Sequence, residues 1–468
     1  MQKSNLINIF RTFSRKEFKD FRKWLLSPVH NQREDVIRLL DYCANENTIN
    51  TDSLLEKEII YNYVFPKQKY DDAKMRQVIY FITEAIEQFL VYQQFKEDEV
   101  RQQTVLAAIY SKRNLIKPFK KSISDYEQLK LKNPLTPDSQ FLNDYFIQKE
   151  IFDFKNKHER SEQSNLTQVQ NQLDAYYFIN TLRLACAGEY YNRVFKAHYS
   201  TRLIEEISAL KDDQLFQIPL LKIYFLVYQL IKFPESDEHF ISLKAILSGD
   251  ITFLSPADAK EVYLWAINFC SAKINSGRAE YNKEVFELYK KGISDGFLIE
   301  DKIITPFTFK NVISRGILLK EFSWVEKFIH DYQHYLDDES KKGIVDFNLA
   351  MLYHAKKEYK KSQQLLISLE VDDLLINLNA RFLLIKIYVE QSEFELLEPQ
   401  LDNMRAYLNR KELIGYHKNT YKNVISVLKK MLKIRSGDKI AKLKLQEEVK
   451  IMSPLVDKEW FIAQIALI

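Results

Sequence analysis

Apolar residues recur every three or four positions along nearly the whole chain, which predicts a succession of amphipathic helices. At one helix start Ser14 precedes Glu17 by the spacing of a capping box, and Phe13 and Phe18 are placed for a hydrophobic staple. This helix is expected to stop at Ser27–Pro28. No convincing alternation of polar and apolar residues is bounded by turn residues. The pattern therefore predicts an all-α chain of roughly 20 to 24 helices with almost no strand.

Further helix starts follow from hydroxyl side chains at the N-cap. Ser53 and Glu56 repeat the spacing of the capping box. Ser255–Pro256 and Thr305–Pro306 each place a hydroxyl at the N-cap and proline at the first helical position. The most apolar stretch, residues 218–231, is shorter than the roughly 20 residues that a bilayer span needs. We expect it to form a buried helix.

The C-terminal half contains an internal repeat. The aromatic residues Phe322, Tyr359 and Phe394 lie 37 and 35 residues apart, and each stands between two apolar-periodic helices. Around Tyr359 the small residues Ala350 and Ser362 stand where two paired helices must approach closely. The spacing is close to the tetratricopeptide period of about 34 residues.

These residues resemble a degenerate tetratricopeptide-like α-solenoid over about residues 305–410, with an additional helix pair upstream. The flanking units depart from the pattern, since Ile313 and Val325, then Ile385 and Leu397, replace the small residues. The layout is also similar to all-helical proteins of Bacteroidota bacteria, a resemblance that implies no function. A compact irregular helical bundle is the alternative architecture for the same pattern.

Three regions are expected on this basis. Residues 1–105 form an N-terminal helical region and residues 106–250 a middle helical region. Residues 251–468 form the tetratricopeptide-like solenoid with basic C-terminal helices. The last apolar residues, 460–468, are expected either to dock back on the chain or to form a dimer contact.

Glycine is scarce, with 9 in 468 residues, and the first is Gly188. Neither the glycine pattern of a Rossmann dinucleotide site nor that of a P-loop is present, so both classes are excluded. The N-terminus has no apolar signal-peptide core. Cys43, Cys186 and Cys270 lack disulfide or zinc spacing. We expect a cytoplasmic protein with reduced cysteines.

Two histidines four residues apart, His330 and His334, are the most metal-like element. In zinc metalloproteases this spacing brings both rings to one helix face, with a glutamate next to the first histidine. Asp331 stands in that place here, and no third ligand is recognisable. Acidic pairs such as 205–206, 212–213 and 337–338 are expected to be solvated. The sequence predicts no catalytic residue, no metal and no cofactor.

Charge is polarised along the chain despite a net charge of only +4. Residues 405–450 hold 13 basic and 4 acidic residues, a net charge of +9, so the remainder carries −5. Tyr407, Tyr416 and Tyr421 are interleaved with the cations, as a stacking platform for single-stranded nucleic acid would need. An acidic partner, a membrane surface and a plain solvated face stay open as alternatives. The candidate basic patch comprises Lys429, Lys430, Lys433, Arg435, Lys439, Lys442 and Lys444.

A candidate groove follows from the repeat register. Asn311 and Asn348 each precede their turn aromatic by 11 residues, where asparagines of tetratricopeptide domains can bond a ligand backbone. Lys310 and Lys386 flank this series. We therefore expect a non-enzymatic scaffold that binds an unidentified protein or peptide on a helical-repeat groove. The alternative is a nucleic-acid-associated protein that uses residues 405–450.

Overall fold

The computed structural model describes residues 1–2, 4–132, 138–158, 164–210, 214–338, 340–369, 373–410, 415–435 and 437–468. These residues form 24 α-helices and three short 3-10 helices, and the only β-type pairing among them is one isolated bridge between Glu300 and Ile303. The predicted all-α helical-repeat architecture is confirmed. None of the described helices has the length and apolar character needed to cross a bilayer.

In chain order the helices are α1 Asn5–Thr12, α2 Arg15–Leu26, α3 Glu34–Cys43, α4 Glu46–Ile49, α5 Lys57–Val64, α6 Asp72–Glu97, α7 Glu99–Lys112, α8 Ile116–Lys132, α9 Asp138–His158, α10 Leu166–Phe195, α11 Ile204–Ala209, α12 Pro219–Lys232, α13 Glu238–Ser248, α14 Pro256–Asn275, α15 Tyr281–Ser294, α16 Pro306–Leu318, α17 Phe322–Tyr332, α18 Lys341–Ala355, α19 Tyr359–Ile367, α20 Leu374–Glu390, α21 Phe394–Arg410, α22 Gly415–Met431, α23 Lys439–Ile451 and α24 Lys458–Leu467. The chain divides into two compact units, Met1–Asn180 and Thr181–Ile468. The three-region division stays a prediction.

The core of the first unit is built largely from aromatic rings of α1, α2 and α6. The Phe21 ring lies 6.5 Å from that of Phe10 and 5.1 Å from that of Phe89. The predicted capping box is confirmed, because Ser14 accepts the Glu17 backbone N–H and Glu17 accepts that of Ser14. The second predicted box is wrong, since Ser53 lies inside a 3-10 helix that ends just before the N-cap of α5.

In the second unit, α12 contains the predicted buried apolar stretch, with ten of its residues buried. Helices α14 to α21 then pack in consecutive pairs. The predicted starts of α14 and α16 are confirmed, because Ser255 and Thr305 accept backbone N–H groups and proline follows each of them. The first helices of neighbouring pairs, α16, α18 and α20, also pack side by side. This side-by-side packing joins the pairs into one continuous array.

The turn between paired helices is the same in four pairs. A residue with left-handed backbone follows each first helix: Gly277, Lys320, Lys357 and Ser392, with φ of 97°, 63°, 62° and 58°. The next N–H in each case donates to the carbonyl five residues earlier, which is the Schellman arrangement. Three of these left-handed positions carry a side chain, although glycine adopts this conformation without strain.

Close approach of paired helices is achieved in two ways. In α18 and α19 the Ser362 hydroxyl donates to the Ala350 carbonyl at 2.8 Å, and both residues are fully buried. In α16 and α17 the bulky Val325 is accommodated by Gly316, because a Cβ at that position would overlap a Val325 methyl group. The side chains at the interface therefore differ from pair to pair.

The apolar C-terminal residues dock back on their own chain. Phe461 of α24 is fully buried and its ring lies 6.1 Å from that of Phe382 in α20. The Trp460 indole N–H donates to Glu390 at 2.6 Å. Helices α20 to α24 thus share one hydrophobic core at the end of the array.

Candidate functional site

The residues predicted to line the groove lie on α16, α18 and α20, and two of them are available there. The exposed Asn311 amide reaches the Tyr289 hydroxyl at 3.4 Å. Lys310 is half-buried, with its ammonium 6.0 Å from the centre of the Phe347 ring. Burial lowers the pKa of Lys310, and the negative charge of Asp373 offsets part of that effect.

The other two predicted groove residues, Asn348 and Lys386, are engaged by contacts within the chain. Asn348 is 1% exposed, and its amide donates to the Ile344 carbonyl of its own helix at 2.7 Å. Lys386 forms an ion pair with Asp457 at 3.0 Å, and its ammonium lies 5.2 Å from the centre of the Trp460 ring. Asn348 and Lys386 are therefore less available to a ligand than the exposed Asn311.

The basic patch lies on α22, α23 and the turn between them. Lys429 pairs with Asp402 at 3.0 Å, and Lys430 pairs with Glu448. The remaining cations have no ion-pair partner among the described residues: Lys433, Arg435, Lys439, Lys442 and Lys444. Residues 411–414 and 436 of the basic segment lie outside the described residues, as does the acidic pair 212–213.

The two described tyrosines of this segment, Tyr407 and Tyr421, are not displayed as a stacking platform. Tyr421 is 4% exposed and its hydroxyl donates to Asn379 at 3.0 Å. Tyr407 packs against the core, with the Arg381 guanidinium 4.9 Å from its ring centre. The side chain of Tyr416 lies outside the described residues. The two described rings are thus engaged by the chain itself.

A cleft of about 480 Å³ lies between α15 and α17, the second helices of two neighbouring pairs. Three aromatic residues of α17 stack along it at four-residue spacing. The Trp324 and Phe328 rings are 5.1 Å apart and inclined by 11°, and the Phe328 and Tyr332 rings are 4.9 Å apart. Phe328 is buried, whereas Trp324 and Tyr332 are partly exposed. Rings at this spacing form a rigid apolar wall.

Lysines from both helices border the cleft. Lys290 lies 5.2 Å from the centre of the Phe286 ring and pairs with Glu287 at 3.1 Å. Lys291 pairs with Asp295 at 2.8 Å. Lys327 is exposed and has no carboxylate within ion-pair distance among the described residues. The cleft therefore combines aromatic rings with one cation that is free to meet a ligand.

Sequence reasoning missed this cleft. Its signal was the recurrence of Trp324, Phe328 and Tyr332 at positions i, i+4 and i+8 of a second helix. Such a stripe is typical of a core-facing surface, so it does not by itself indicate a cleft. The opening arises from the separation of α15 and α17, which the sequence does not encode locally.

Two polar clusters hold helices together, a buried one around Asp258 and a half-buried one around Glu390. The Asp258 carboxylate accepts a hydrogen bond from the Tyr224 hydroxyl at 2.7 Å and forms an ion pair with Arg183. Burial, and after it the negative charge of Asp258, raises the pKa of Tyr224. At the end of the array the Glu390 carboxylate accepts hydrogen bonds from the Tyr359 hydroxyl and the Trp460 indole N–H. Burial would raise the pKa of Glu390, but contacts with His354, Trp460 and Tyr359 lower it overall.

The histidine pair does not occupy one helix face. His330 lies in the last turn of α17 and is 83% exposed, whereas His334 follows in a 3-10 helix. Asp331 contacts His330 at 3.0 Å. No group of three potential metal ligands occurs among the described residues.

The three cysteines are buried free thiols. Burial raises the pKa of Cys43 and of Cys270 to about 12, and it also raises that of Cys186. Because the thiolate is the reactive form, these side chains are inert at neutral pH.

The partners of Glu390 and of Asp258 come from other helices, so both clusters fix packing in the second unit. The α15/α17 cleft is open to solvent, and it is the candidate binding site of this chain. A comparison of this chain with protein-family models, curated proteins and solved structures finds no match, so the tetratricopeptide resemblance stays a prediction from the sequence.

Proposed function

We propose that this chain is a non-enzymatic scaffold that binds a partner protein on its helical-repeat surface. The partner places an apolar side chain into the α15/α17 cleft, and no bond is made or broken. The observation that supports this proposal is the partly exposed stack of Trp324, Phe328 and Tyr332 within a cleft of about 480 Å³. That volume falls within the roughly 300–1,000 Å³ typical of ligand pockets.

The chemistry of the cleft favours a peptide ligand. Tryptophan and tyrosine are enriched where protein interfaces gain most of their affinity, because each buries a large apolar area at a small cost in rotamer entropy. Lys327, which has no described ion-pair partner, suits an acidic residue beside the apolar anchor. The ligand expected here is thus a segment with one bulky apolar residue and a neighbouring carboxylate.

The face formed by α16, α18 and α20 is the less favourable site for a partner. Asn348 cannot offer its amide without breaking its bond to the helix. Lys386 would have to leave Asp457 and the Trp460 ring. A partner binding there would lose part of its affinity to these rearrangements.

Selection from a displayed library of random peptides tests the proposal with the full chain as bait. Peptides that enrich are expected to carry an apolar residue next to Asp or Glu. Their affinity is expected to fall about tenfold or more for Trp324→Ala and several-fold for Lys327→Glu. Circular dichroism melting curves verify that both variants fold.

The matched control is Lys320→Glu, which reverses an exposed charge at the turn just before α17, outside the residues that line the cleft. The control is expected to bind the selected peptides as the parent chain does. Peptides that bind Trp324→Ala and Lys327→Glu with unchanged affinity would refute the proposal, as would a selection that enriches none.

A further inference from the structure

Helix α23 presents an outward face that combines protruding aliphatic side chains with cations. Ile440, Leu443 and Ile451 are 82%, 61% and 82% exposed. Their spacing of three and eight residues puts them on one side of the helix. Leu445 and Val449 on the opposite side are buried in the core, so α23 is held in place from within. The outward side chains are therefore displayed by a fixed helix.

Cations border this aliphatic row. Lys439 and Lys444 are exposed beside this row, and neither has a described ion-pair partner. Lys433 and Arg435 add two further unpaired charges immediately before the helix. Glu447 stands within the row, but Lys450 neutralises it at 2.6 Å. We call Ile440, Leu443 and Ile451, together with the bordering Lys439 and Lys444, the basic-aliphatic face.

We propose that the basic-aliphatic face docks on an anionic lipid surface, with Ile440, Leu443 and Ile451 entering the acyl boundary. Helices that lie on a bilayer combine an aliphatic side with lysines that reach the headgroups. The flexible lysine stems keep each ammonium at headgroup level while the neighbouring aliphatic residues descend. Charge complementarity between the unpaired cations and lipid phosphates supplies the attraction.

The shape of the face favours lipid over a folded partner or nucleic acid. A side chain that is 82% exposed protrudes from the surface instead of lining a groove. A protruding aliphatic row needs a pocket of matching shape in a protein partner, whereas a lipid surface deforms to accept it. Nucleic acid offers the cations its phosphates but gains nothing from isoleucine or leucine, and Tyr421 is not available for base stacking.

Vesicle co-sedimentation of the full chain tests this proposal, with vesicles of phosphatidylcholine alone and of phosphatidylcholine mixed equally with phosphatidylglycerol. Binding is expected only to the anionic vesicles and is expected to weaken with salt. Each cation at an anionic surface contributes roughly fivefold to the partition coefficient. The double variant Lys439→Gln/Lys444→Gln is therefore expected to lose about 25-fold.

The aliphatic residues are tested separately. Ile440→Ser/Leu443→Ser is expected to reduce partitioning at least tenfold, because both side chains lose their favourable transfer into the acyl region. Glu447→Gln is expected to increase it, since one negative charge leaves the face. The control Ile303→Ser/Leu318→Ser removes two aliphatic side chains that are 49% and 58% exposed elsewhere in the same unit, and it is expected to bind as the parent chain does.

Four results would overturn the proposal: no binding to the anionic vesicles, equal binding to both kinds of vesicle, unchanged binding of Ile440→Ser/Leu443→Ser, and equal loss in the control pair. A single-stranded oligothymidylate that binds the parent and the serine variant equally, but not the glutamine variant, would assign the cations to nucleic acid instead. The variant Lys327→Glu, which alters the α15/α17 cleft, is expected to retain vesicle binding. Failure of the proposed peptide site is thereby distinguishable from failure at α23.

Discussion

The contact between Gly316 and Val325 allows the packing of α16 against α17 to be tested by a single methyl group. A Cβ added at Gly316 would overlap a side-chain methyl of Val325 and lie 3.1 Å from Cε2 of Phe286. Val325 and Phe286 are both buried, so neither side chain can turn out to solvent. We therefore expect Gly316→Ala to force these two helices apart.

The magnitude follows from two opposing terms. Overpacking by one methyl group in a close-packed core costs about 1–3 kcal/mol. Replacing a helical glycine by alanine contributes up to about 1 kcal/mol in the opposite direction. Gly316→Ala is thus expected to lower the free energy of unfolding by about 1–2 kcal/mol. Val325→Ala alone is expected to lower it by about 2 kcal/mol, because two buried methyl groups are lost.

The decisive measurement is Gly316→Ala in the Val325→Ala background. With the Val325 methyl groups removed, only the contact with Phe286 remains, so the same substitution is expected to cost at least about 1 kcal/mol less than in the parent chain. Urea unfolding followed by circular dichroism gives the four free energies, and equal m values show that the same cooperative unit unfolds. Gly249→Ala is the control, since a Cβ there meets its nearest atom at an ordinary 3.4 Å. A cost that is the same in both backgrounds would refute the packing argument.

Three further predictions concern the turns and the polar contacts of the second unit. Lys357→Gly is expected to raise the free energy of unfolding by about 0.5–1 kcal/mol. Glycine relieves a left-handed backbone strain of about 1–2 kcal/mol, but it loses more chain entropy on folding. Gly277→Ala is expected to lower the free energy of unfolding by a similar amount, and urea unfolding midpoints measure both changes. Hydrogen bonds, first from Lys273, lower the pKa of Asp237 to about 2; its stabilising contribution is therefore present above pH 4 and lost as pH falls toward 2, and Asp237→Asn should flatten that part of the stability–pH curve. Glu390→Gln is expected to loosen α24, which faster hydrogen exchange in residues 458–467 would report, whereas unchanged exchange would contradict it.

The helix starts were predictable because their determinants are local. Ser14, Ser255 and Thr305 each accept an N–H group from within the next three residues, so the sequence holds the whole interaction. The capping box predicted at Ser53 is wrong because a different local structure has the same residue spacing. The spacing from Ser53 to Glu56 fits a capping box, but a 3-10 turn occupies those residues. Spacing alone does not distinguish the two local structures.

The groove residues were less predictable because burial depends on neighbouring helices. Asn311 and Asn348 share a position within their repeats, but α18 is flanked by both α16 and α20. Asn348 is buried between these neighbouring helices, whereas Asn311 is exposed. Repeat register thus predicts the direction of a side chain, whereas its exposure depends on what packs on each side.

The α15/α17 cleft and the docking of α24 depend on residues that are far apart in the sequence. Lys290 and Lys327 border the same cleft from positions 37 residues apart, and Trp460 reaches Glu390 across 70 residues. Single-sequence periodicity describes each helix separately and contains no information about these distances. For this reason the apolar C-terminal residues were compatible with either docking on the chain or a dimer contact. The contact between Phe461 and Phe382 shows that they dock on the chain.

The backbone, more than the side chains, is what the repeats have in common. Four pairs share the left-handed turn residue and the hydrogen bond that spans five residues, although glycine fills that turn only at Gly277. The side chains at the contact between paired helices differ from pair to pair. Gly316 lies against Val325 in one pair, and Ala350 contacts Ser362 in another. A search for small residues at one fixed position therefore recognises only the second pair. The repeat looks degenerate in sequence because two paired helices can also approach closely at a glycine one helical turn further along the first helix. Gly316 does this in α16, where Ile313 stands at the position that Ala350 occupies in α18.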